Sequence, residues 1–264
     1  MEQIDTSVAH PARRYNYWLG GKDHFAADRE SGDLLARAFP TVRVAALENR
    51  DFLRRGVRYL AEAGVRQFLD IGSGLPVPDN THEIAQRIAP ECRVLYVDND
   101  PIVMAHSDAL MIGTPEGRTG YVEADLRDPA AILRHPDLRA TLDLDRPVAL
   151  LLVAVLHFIH DDDQAVEIVR RLLEALPAGS YLVASNLTLD YATPAQIAKH
   201  EELLAGGRAD ARARDRAEFG RFFDGLELVD PGVVAVSDWR PTRPAEGRPT
   251  AADVAIYGAV GRLA

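Results

Sequence analysis

Three short stretches of the chain carry residue types suited to holding a nucleoside. Phe68-Leu69-Asp70-Ile71-Gly72-Ser73-Gly74 reads as a buried strand running into paired glycines. Glycines at that point let the backbone pass close to a ligand in the crevice at a sheet's carboxyl edge. Asp98 ends a second apolar stretch that starts at Cys92, where a carboxylate can accept both hydroxyls of an adenosine ribose. Asp125 lies just past a third, Gly120 to Glu123, in position to meet an adenine amino group. Each acid taken singly reads equally well as a cap or turn residue. Aligned on one sheet edge, they favour an adenosine-containing ligand.

The loop after the glycines narrows the choice. A dinucleotide site uses GxGxxG, with the last glycine allowing a tight helix–strand contact and the pyrophosphate lying on a helix N-terminus. Here Gly74 is followed by Leu75-Pro76-Val77-Pro78, and no GxxxxGK[ST] loop occurs. A ligand with adenosine but no pyrophosphate fits better, and S-adenosylmethionine is such a ligand. An NAD-dependent oxidoreductase would need pyrophosphate room at the Leu75–Asn80 loop.

The elements that must position these residues follow from periodicity. Strands are expected at Phe68–Ile71, Cys92–Val97, Gly120–Glu123, Val148–Leu156 and Tyr181–Ser185. The fourth is almost wholly apolar, as a central parallel strand should be. Helices are expected at Thr81–Ile88, Ile102–Met111 and Asp161–Leu176; Asn80 and Glu83 have capping-box spacing for the first. This alternation predicts an α/β fold, a doubly wound parallel sheet with helices on both faces. Ahead of it, Asp28–Ala38 and Thr41–Ala63 read as helices, the second with Val44, Leu47, Phe52, Val57 and Leu60 at helical spacing. Pro194–Phe223 reads as a charged helical stretch with an apolar face. Leu226–Val229 and Val254–Val260 read as late strands, an antiparallel pair because no crossover helix separates them. The Pro- and Arg-rich segment between them reads as surface loop.

Composition agrees with one globular domain. The 264 residues are 47 % hydrophobic, with 40 acidic against 30 basic residues and a formal net charge of −10. A chain of this length buries about three-quarters of its unfolded surface. Net acidity argues against dependence on nucleic acid, and only Lys22 and Lys199 among the basic residues are lysines. Mixed-sign runs such as Arg208 to Arg221 read as solvated helix faces. Cys92 is the single cysteine, so no intramolecular disulfide forms. The start, Met1-Glu2-Gln3-Ile4-Asp5, lacks signal-peptide character, and no apolar run is long enough to span a bilayer. A soluble cytoplasmic protein, monomer or homodimer, is expected.

The same residues carry a resemblance. DxGxG, an acid after the second strand, an acid after the third, and two late strands look like a class I S-adenosylmethionine-dependent methyltransferase. More narrowly, Ala12–Arg29 (ARRYNYWLGGKDHFAADR), Asp70–Glu83 (DIGSGLPVPDNTHE), Ala154–Asp162 (AVLHFIHDD) and Phe223–Gly232 (FDGLELVDPG) resemble an actinobacterial family of methyltransferase-like proteins whose substrates are unassigned. The resemblance implies a seven-stranded sheet ordered 3-2-1-4-5-7-6 with strand seven antiparallel. It places the cofactor across strands one to three. Gly72, Ser73 and Gly74 would line the methionyl part, Asp98 the ribose, Asp125 with Leu126 the adenine, and Asn99 the adenine face.

Two further groups bear on the acceptor. Tyr15, Tyr17 and Trp18 could wall a pocket and Arg14 could meet the methionyl carboxylate or an anionic substrate; packing of an aromatic arm on the sheet explains the rings equally well. His157 and His160 follow the fourth strand, at the edge where an acceptor sits. His157 could take a proton from the acceptor, its reference pKa of about 6.5 suiting that task, or it could be a structural ring. The HxxHD run has metal-ligand types, but Asp161-Asp162-Asp163 begins a helix, where carboxylates need no metal; no metal is expected.

The reading is therefore an S-adenosylmethionine-dependent methyltransferase acting on a small-molecule acceptor. Residues 1–63 form an N-terminal helical cover, 64–264 the core, and about 190–224 a helical cap. The alternative is a non-catalytic S-adenosylmethionine-binding regulator, which an acceptor pocket plugged by Tyr17, Trp18 or His157 would favour.

Overall fold

The computed structural model describes residues 5–110 and 112–264, side chains at 107–110 excepted. Among the described residues, eight strands form one sheet: β1 (Gln67–Ile71), β2 (Arg93–Asp98), β3 (Arg118–Glu123), β4 (Ala149–Val153), β5 (Tyr181–Leu187), β6 (Leu226–Leu228), β7 (Val234–Ala235) and β8 (Ile256–Leu263). Their order is β3-β2-β1-β4-β5-β8-β6, with β7 also pairing β8. β1 to β5 are parallel, while β8 runs antiparallel to β5 and β6. This is the order the family resemblance implies; the two-residue β7 is the added strand, so the strand expected as the seventh is β8.

Eleven α-helices accompany it among the described residues: α1 (Pro11–Trp18), α2 (Ala26–Ala38), α3 (Val42–Glu62), α4 (Thr81–Ile88), α5 (Pro101–Leu110), α6 (Pro129–Arg134), α7 (Pro136–Thr141), α8 (Asp162–Glu174), α9 (Pro194–Ala205), α10 (Arg216–Gly220) and α11 (Ala251–Val254). Met111, the expected end of α5, and Met1–Ile4 lie outside the described residues. The starts are chemically marked. Glu83 accepts the Asn80 N–H at 2.7 Å ahead of α4, and Asp161 accepts the Gln164 N–H at 2.8 Å at α8, each satisfying a donor the helix leaves unpaired.

Alternation along the central strands divides the core into two layers. Leu69 and Ile71 of β1, with Leu150 and Leu152 of β4, face Ile168, Val169 and Leu172 of α8. Phe68, Ala149 and Leu151 face Phe52, Val57 and Leu60 of α3 and Ile84 of α4. The α3 helix thus covers one face of the sheet. Leu47, placed by spacing on its apolar face, is instead 52 % exposed.

The late part of the chain departs from expectation in three places. The Pro194–Phe223 stretch is not one helix: α9 stops at Gly206-Gly207, where Gly207 has φ +64°, and an irregular segment runs to Asp215. The fifth strand runs past its expected end at Ser185 to Leu187, with Ser185 Oγ accepting the Ala154 N–H at 2.9 Å. The segment before β8 is far from a plain surface loop. Trp239 is fully buried against Phe52, with ring centroids 5.5 Å apart, and Arg55 donates to the carbonyls of Trp239 and Val236 at 2.9 and 2.6 Å. Pro and Arg set the composition of that segment, but one large ring decides its place.

Among the described residues, no helix is long and apolar enough to cross a membrane. Removing the buried ring tests the packing of the late segment. Trp239→Ala is expected to lower unfolding free energy by about 3–5 kcal/mol, read as a reduced urea midpoint at unchanged m-value.

Candidate functional site

One cavity of about 890 Å³ opens above the carboxyl ends of the parallel strands, near the upper end of the range for small-molecule sites, about 300–1,000 Å³. Its floor is the turn after β1. Gly72 holds φ +75° there, and a Cβ would lie 2.6 Å from Val155 Cγ2. Its N–H donates to Val97 O at 2.8 Å, which ties the turn to β2. Gly74, at φ +68°, donates its N–H to Asp98 Oδ2 at 2.9 Å.

The acids stand along the same edge. Asp98 is buried and its other oxygen accepts the Asp100 N–H at 3.0 Å. Burial pushes its carboxyl upward, against the pull of the Asp100 and Gly74 N–H groups. Asp125 accepts from the Arg127 N–H at 2.8 Å and from Asn99 Nδ2 at 3.2 Å. Burial pushes it up too, but those bonds and the Arg127 guanidinium at 3.0 Å leave it below the usual carboxylate range. Leu126 is a buried wall residue beside it. Gly72, Ser73, Gly74, Asp98, Asn99, Asp125 and Leu126 therefore all line one cavity.

Beneath the glycines lies Asp70. Its carboxylate accepts from Thr81 Oγ1 at 2.6 Å, and burial pushes it up to about 6, against Thr81 and the charge of Arg50. Arg50 is itself buried, donating to Asp79 O at 3.0 Å and Asn80 Oδ1 at 3.3 Å. Tyr15 reaches the same corner, giving its hydroxyl proton to Ala46 O at 2.9 Å and accepting from Asn49 Nδ2 at 3.1 Å.

The roof is irregular chain from α9 to α10 joined to the N-terminal helices. Arg14 pairs with Asp210 and donates to Ser31 Oγ at 3.2 Å. His160 Nε2 bonds Asp210 O at 2.8 Å, and the Arg212 N–H donates to His157 O at 2.7 Å. Arg214, 1 % exposed, donates to Asp162 at 2.9 Å, to the carbonyls of Leu156 and Ile159 at 3.0 and 2.7 Å, and to Asn186 at 3.0 Å. The acidic run after His160 is accounted for by this ion pair and by the α8 cap.

Trp18 and His157 are walls of the cavity. The Trp18 indole N–H is spent on Gly32 O at 3.3 Å. His157 is half-buried with Nδ1 unpaired, and burial pushes its imidazole down to about 4. It is unprotonated at neutral pH and a weaker base than a free imidazole. Tyr17 is the placement to correct: its hydroxyl donates to Asp33 at 2.7 Å and its ring lies under Arg43, outside the cavity, because the α1 helix turns positions 15 and 18 inward and 17 away. Arg54 also stays outside, paired with Asp51 at 2.8 Å.

Arg50, Asn49, Asp210 and His200 are wall residues that sequence reasoning did not assign. Position 50 carried a signal, standing among the apolar positions of α3; His200, in a charged helix, carried none. Among the described residues, ten buried side-chain polar atoms lack a partner, and six belong to this wall: Arg14 Nε, Asn49 Oδ1, Arg50 Nε, Ser73 Oγ, His157 Nδ1 and His200 Nε2. Such atoms are expensive, about 1–3 kcal/mol each, and their concentration marks a wall built for a polar ligand. Carboxylates for a ribose and an adenine, close backbone at the glycines, and unpaired donors and acceptors fit S-adenosylmethionine.

A nucleoside-binding, class I methyltransferase-like protein is thus the class that fold and site define. A family model described as S-adenosyl methyltransferase matches residues 1–264, and the chain belongs to that family. It is an S-adenosylmethionine-dependent methyltransferase. A DUF574-family protein from Streptomyces avermitilis MA-4680 is 53 % identical with a TM-score of 0.94, covering 99 % of this chain and 100 % of its own. A candidate methyltransferase from Thermobifida fusca YX is 42 % identical with a TM-score of 0.89, covering 98 % and 96 %. The mitomycin 7-O-methyltransferase MmcR, 18 % identical with a TM-score of 0.51 over 88 % of this chain and 58 % of its own, shares the fold alone. Among curated proteins, none matches.

The floor can be tested directly. Gly72→Ala must place a methyl group against Val155 and holds a left-handed backbone that costs an L-residue about 1–2 kcal/mol. Titration calorimetry is expected to show S-adenosylhomocysteine binding weakened by about tenfold or more, with a lowered melting temperature.

Proposed function

We propose that the cavity binds S-adenosylmethionine across the ends of β1, β2 and β3, and a small-molecule acceptor between the α1–α2 helices and the roof. The observation that carries this is continuity: one cavity runs from Asp98 and Asp125 to Arg14, Trp18 and His200. Trp18 and His157 form its walls and Tyr17 lies outside it, so none of the three plugs it. That favours turnover over a purely regulatory role.

When bound, the cofactor supplies an electrophilic methyl group on a sulfonium. Asp98 accepts the ribose hydroxyls, and Asp125, Asn99 and Leu126 receive the adenine. Asp70 attracts the methionyl ammonium, while the free Nε of Arg50 receives its carboxylate. Arg14 is the earlier expectation for that carboxylate; both arginines keep an unpaired Nε, but the charge of Arg14 is paired with Asp210, whereas Arg50 donates to a carbonyl and an amide oxygen, which makes Arg50 the better candidate. His157, unprotonated and weakly basic, accepts a hydrogen bond from the acceptor without holding its proton. Alignment and exclusion of water then supply most of the catalysis.

Residues 1–63 serve as cover and wall, 64–264 as core, and 190–224 as cap. A cytoplasmic location is part of this proposal, supported by the lack of a membrane-crossing helix among the described residues and a single buried cysteine.

Calorimetric titration with S-adenosylmethionine, S-adenosylhomocysteine and NAD tests the cofactor site. Both sulfur nucleosides are expected to bind in the micromolar range, and Asp98→Ala to weaken them by about tenfold or more. Saturable NAD binding without them would overturn the reading. The same titration against pH tests Asp70. Its carboxyl is raised to about 6 in the free protein, and a bound ammonium lowers it, so the complex carries fewer protons than the free protein. Affinity should therefore rise with pH through about 6, by up to about tenfold per unit, and level off above. Asp70→Asn should bind weakly with no such slope.

A further inference from the structure

Three loops at the carboxyl edge of the sheet are joined through one carboxylate. Asn99, after β2, donates its Nδ2 to Asp125 Oδ2 at 3.2 Å. Arg127, in the loop after β3, donates its backbone N–H to Asp125 Oδ1 at 2.8 Å and its Nη1 to Oδ2 and Oδ1 at 3.0 and 3.3 Å. The other arm of the same guanidinium, Nη2, donates to Phe158 O at 3.0 Å, in the turn Leu156–Phe158 after β4. Asn99, Asp125, Arg127 and Phe158 all line the cavity.

The Arg127–Asp125 pair does little for stability. Its side chains are 50 % and 40 % exposed, and an ion pair so open to water is worth little. What it fixes is position. β2 and β1 stand between β3 and β4, so no ladder bond sets the spacing of the loops that follow those two strands. Arg127 spans that gap, from carboxylate to carbonyl. Its planar fork holds two acceptors in a fixed relation, which the point charge of an ammonium does not.

The carboxylate keeps room for one more donor. When ionised it has about four acceptor sites and no donor of its own. The Arg127 N–H, Arg127 Nη1 and Asn99 Nδ2 occupy it from the protein side. A purine 6-amino group brings the remaining donor, whereas a 6-oxo group brings a lone pair and is repelled. A 6-oxo purine also carries a proton on N1, but that proton reaches Asp125 only if the base slides, and a fixed gap between the loops opposes sliding.

We infer that Arg127 is a positioning residue for the cofactor's base: it aims the Asp125 carboxylate and sets the gap between the loops after β3 and β4, so that the site takes a 6-amino purine and rejects a 6-oxo one. It acts through Asp125 and Phe158 and not by touching the base. The inference rests on the adenine placement proposed above and deepens it by naming what makes that carboxylate selective.

The test is calorimetric titration with S-adenosylhomocysteine and S-inosylhomocysteine, which carry a 6-amino and a 6-oxo purine. The unsubstituted protein is expected to prefer the adenosyl compound by about tenfold or more, the worth of one hydrogen bond to a charged group. Arg127→Ala should weaken the adenosyl compound by about tenfold and leave the inosyl compound nearly unchanged, so that the preference collapses at an unchanged melting temperature. Arg127→Lys, which keeps the charge without the fork, should retain part of the preference. A merely structural role would weaken both ligands alike, and that result would overturn the inference. So would a preference that persists in Arg127→Ala, or one absent from the unsubstituted protein. Asp125→Asn presents an amide donor to a 6-oxo group and should erase the preference; its survival there would overturn the adenine placement underneath. Failure of S-adenosylhomocysteine to bind the unsubstituted protein would overturn the cofactor reading itself.

Discussion

Two carboxylates at the end of β2 hold the site together. Asp98 takes the N–H of Gly74 on one side and that of Asp100 on the other. Asp100, 2 % exposed, takes the guanidinium of Arg13 at 3.1 Å and the ring of His10 at 3.1 Å. The glycine turn and the N-terminal cover are thereby fastened to the same strand end. His10 is fastened a second time, its N–H donating to the fully buried Asp28 at 2.8 Å, which also accepts from Phe25. Charge-assisted bonds of this kind are stronger than neutral ones, and burial limits their screening by salt. The cover's position over the cavity is thus set by the acid that would hold the ribose and by its close neighbour.

The opposite side depends on Arg214. A buried guanidinium is tolerated only where its donors are met, and here Asp162, Asn186 and two carbonyls meet them while Phe222 lies 5.2 Å from its centre. Those partners belong to the loop after β4, the end of β5 and the start of α8. One side chain from the irregular roof thus joins three elements at the cavity's rim. Without it, the 206–215 segment would have little apolar surface to keep it in place, Ala209 being its contribution to the small cluster around Leu35 and Leu203.

The sheet was legible because its signals are local. Near-continuous apolar runs mark buried parallel strands, and glycine–acid placement marks their carboxyl edge, so Gly72, Gly74, Asp98 and Asp125 could be placed together from the sequence. The roof was not legible, because its structure depends on distant partners. The mixed-sign run from Arg208 to Arg221 looks like a solvated face, yet Arg214 is among the most buried residues, and only the fold brings Asp162 and Asn186 to it. Trp239 was hidden by the prolines and arginines around it. Arg50 lies in a helix that the periodicity marks, but nothing local says that its side chain turns to Asp70. Tyr17 was misplaced because the N-terminal aromatics read as a cluster, whereas a helix separates neighbours by about 100° and sends residues 15 and 17 to different sides.

One physical cause sorts the cavity's protonation states. Loss of water disfavours charge of either sign, so it raises carboxyls and lowers imidazoles. At the strand edge the result is Asp70 near 6, still ionised at neutral pH and short of positive charge. Farther along the cavity wall it is His157 near 4 and His200 also pushed down, both neutral. The carboxylates of Asp70, Asp98 and Asp125 against Arg50 and Arg127 make the strand edge the place for a cofactor that carries a sulfonium and an ammonium. In the other half the charge of Arg14 is paired with Asp210. The imidazole on this wall nearest the strand ends, His157, is a weaker base than free imidazole and does not hold a proton at neutral pH. The arrangement therefore favours catalysis by placing a neutral nucleophile in line with the methyl group, in a site from which water has been removed.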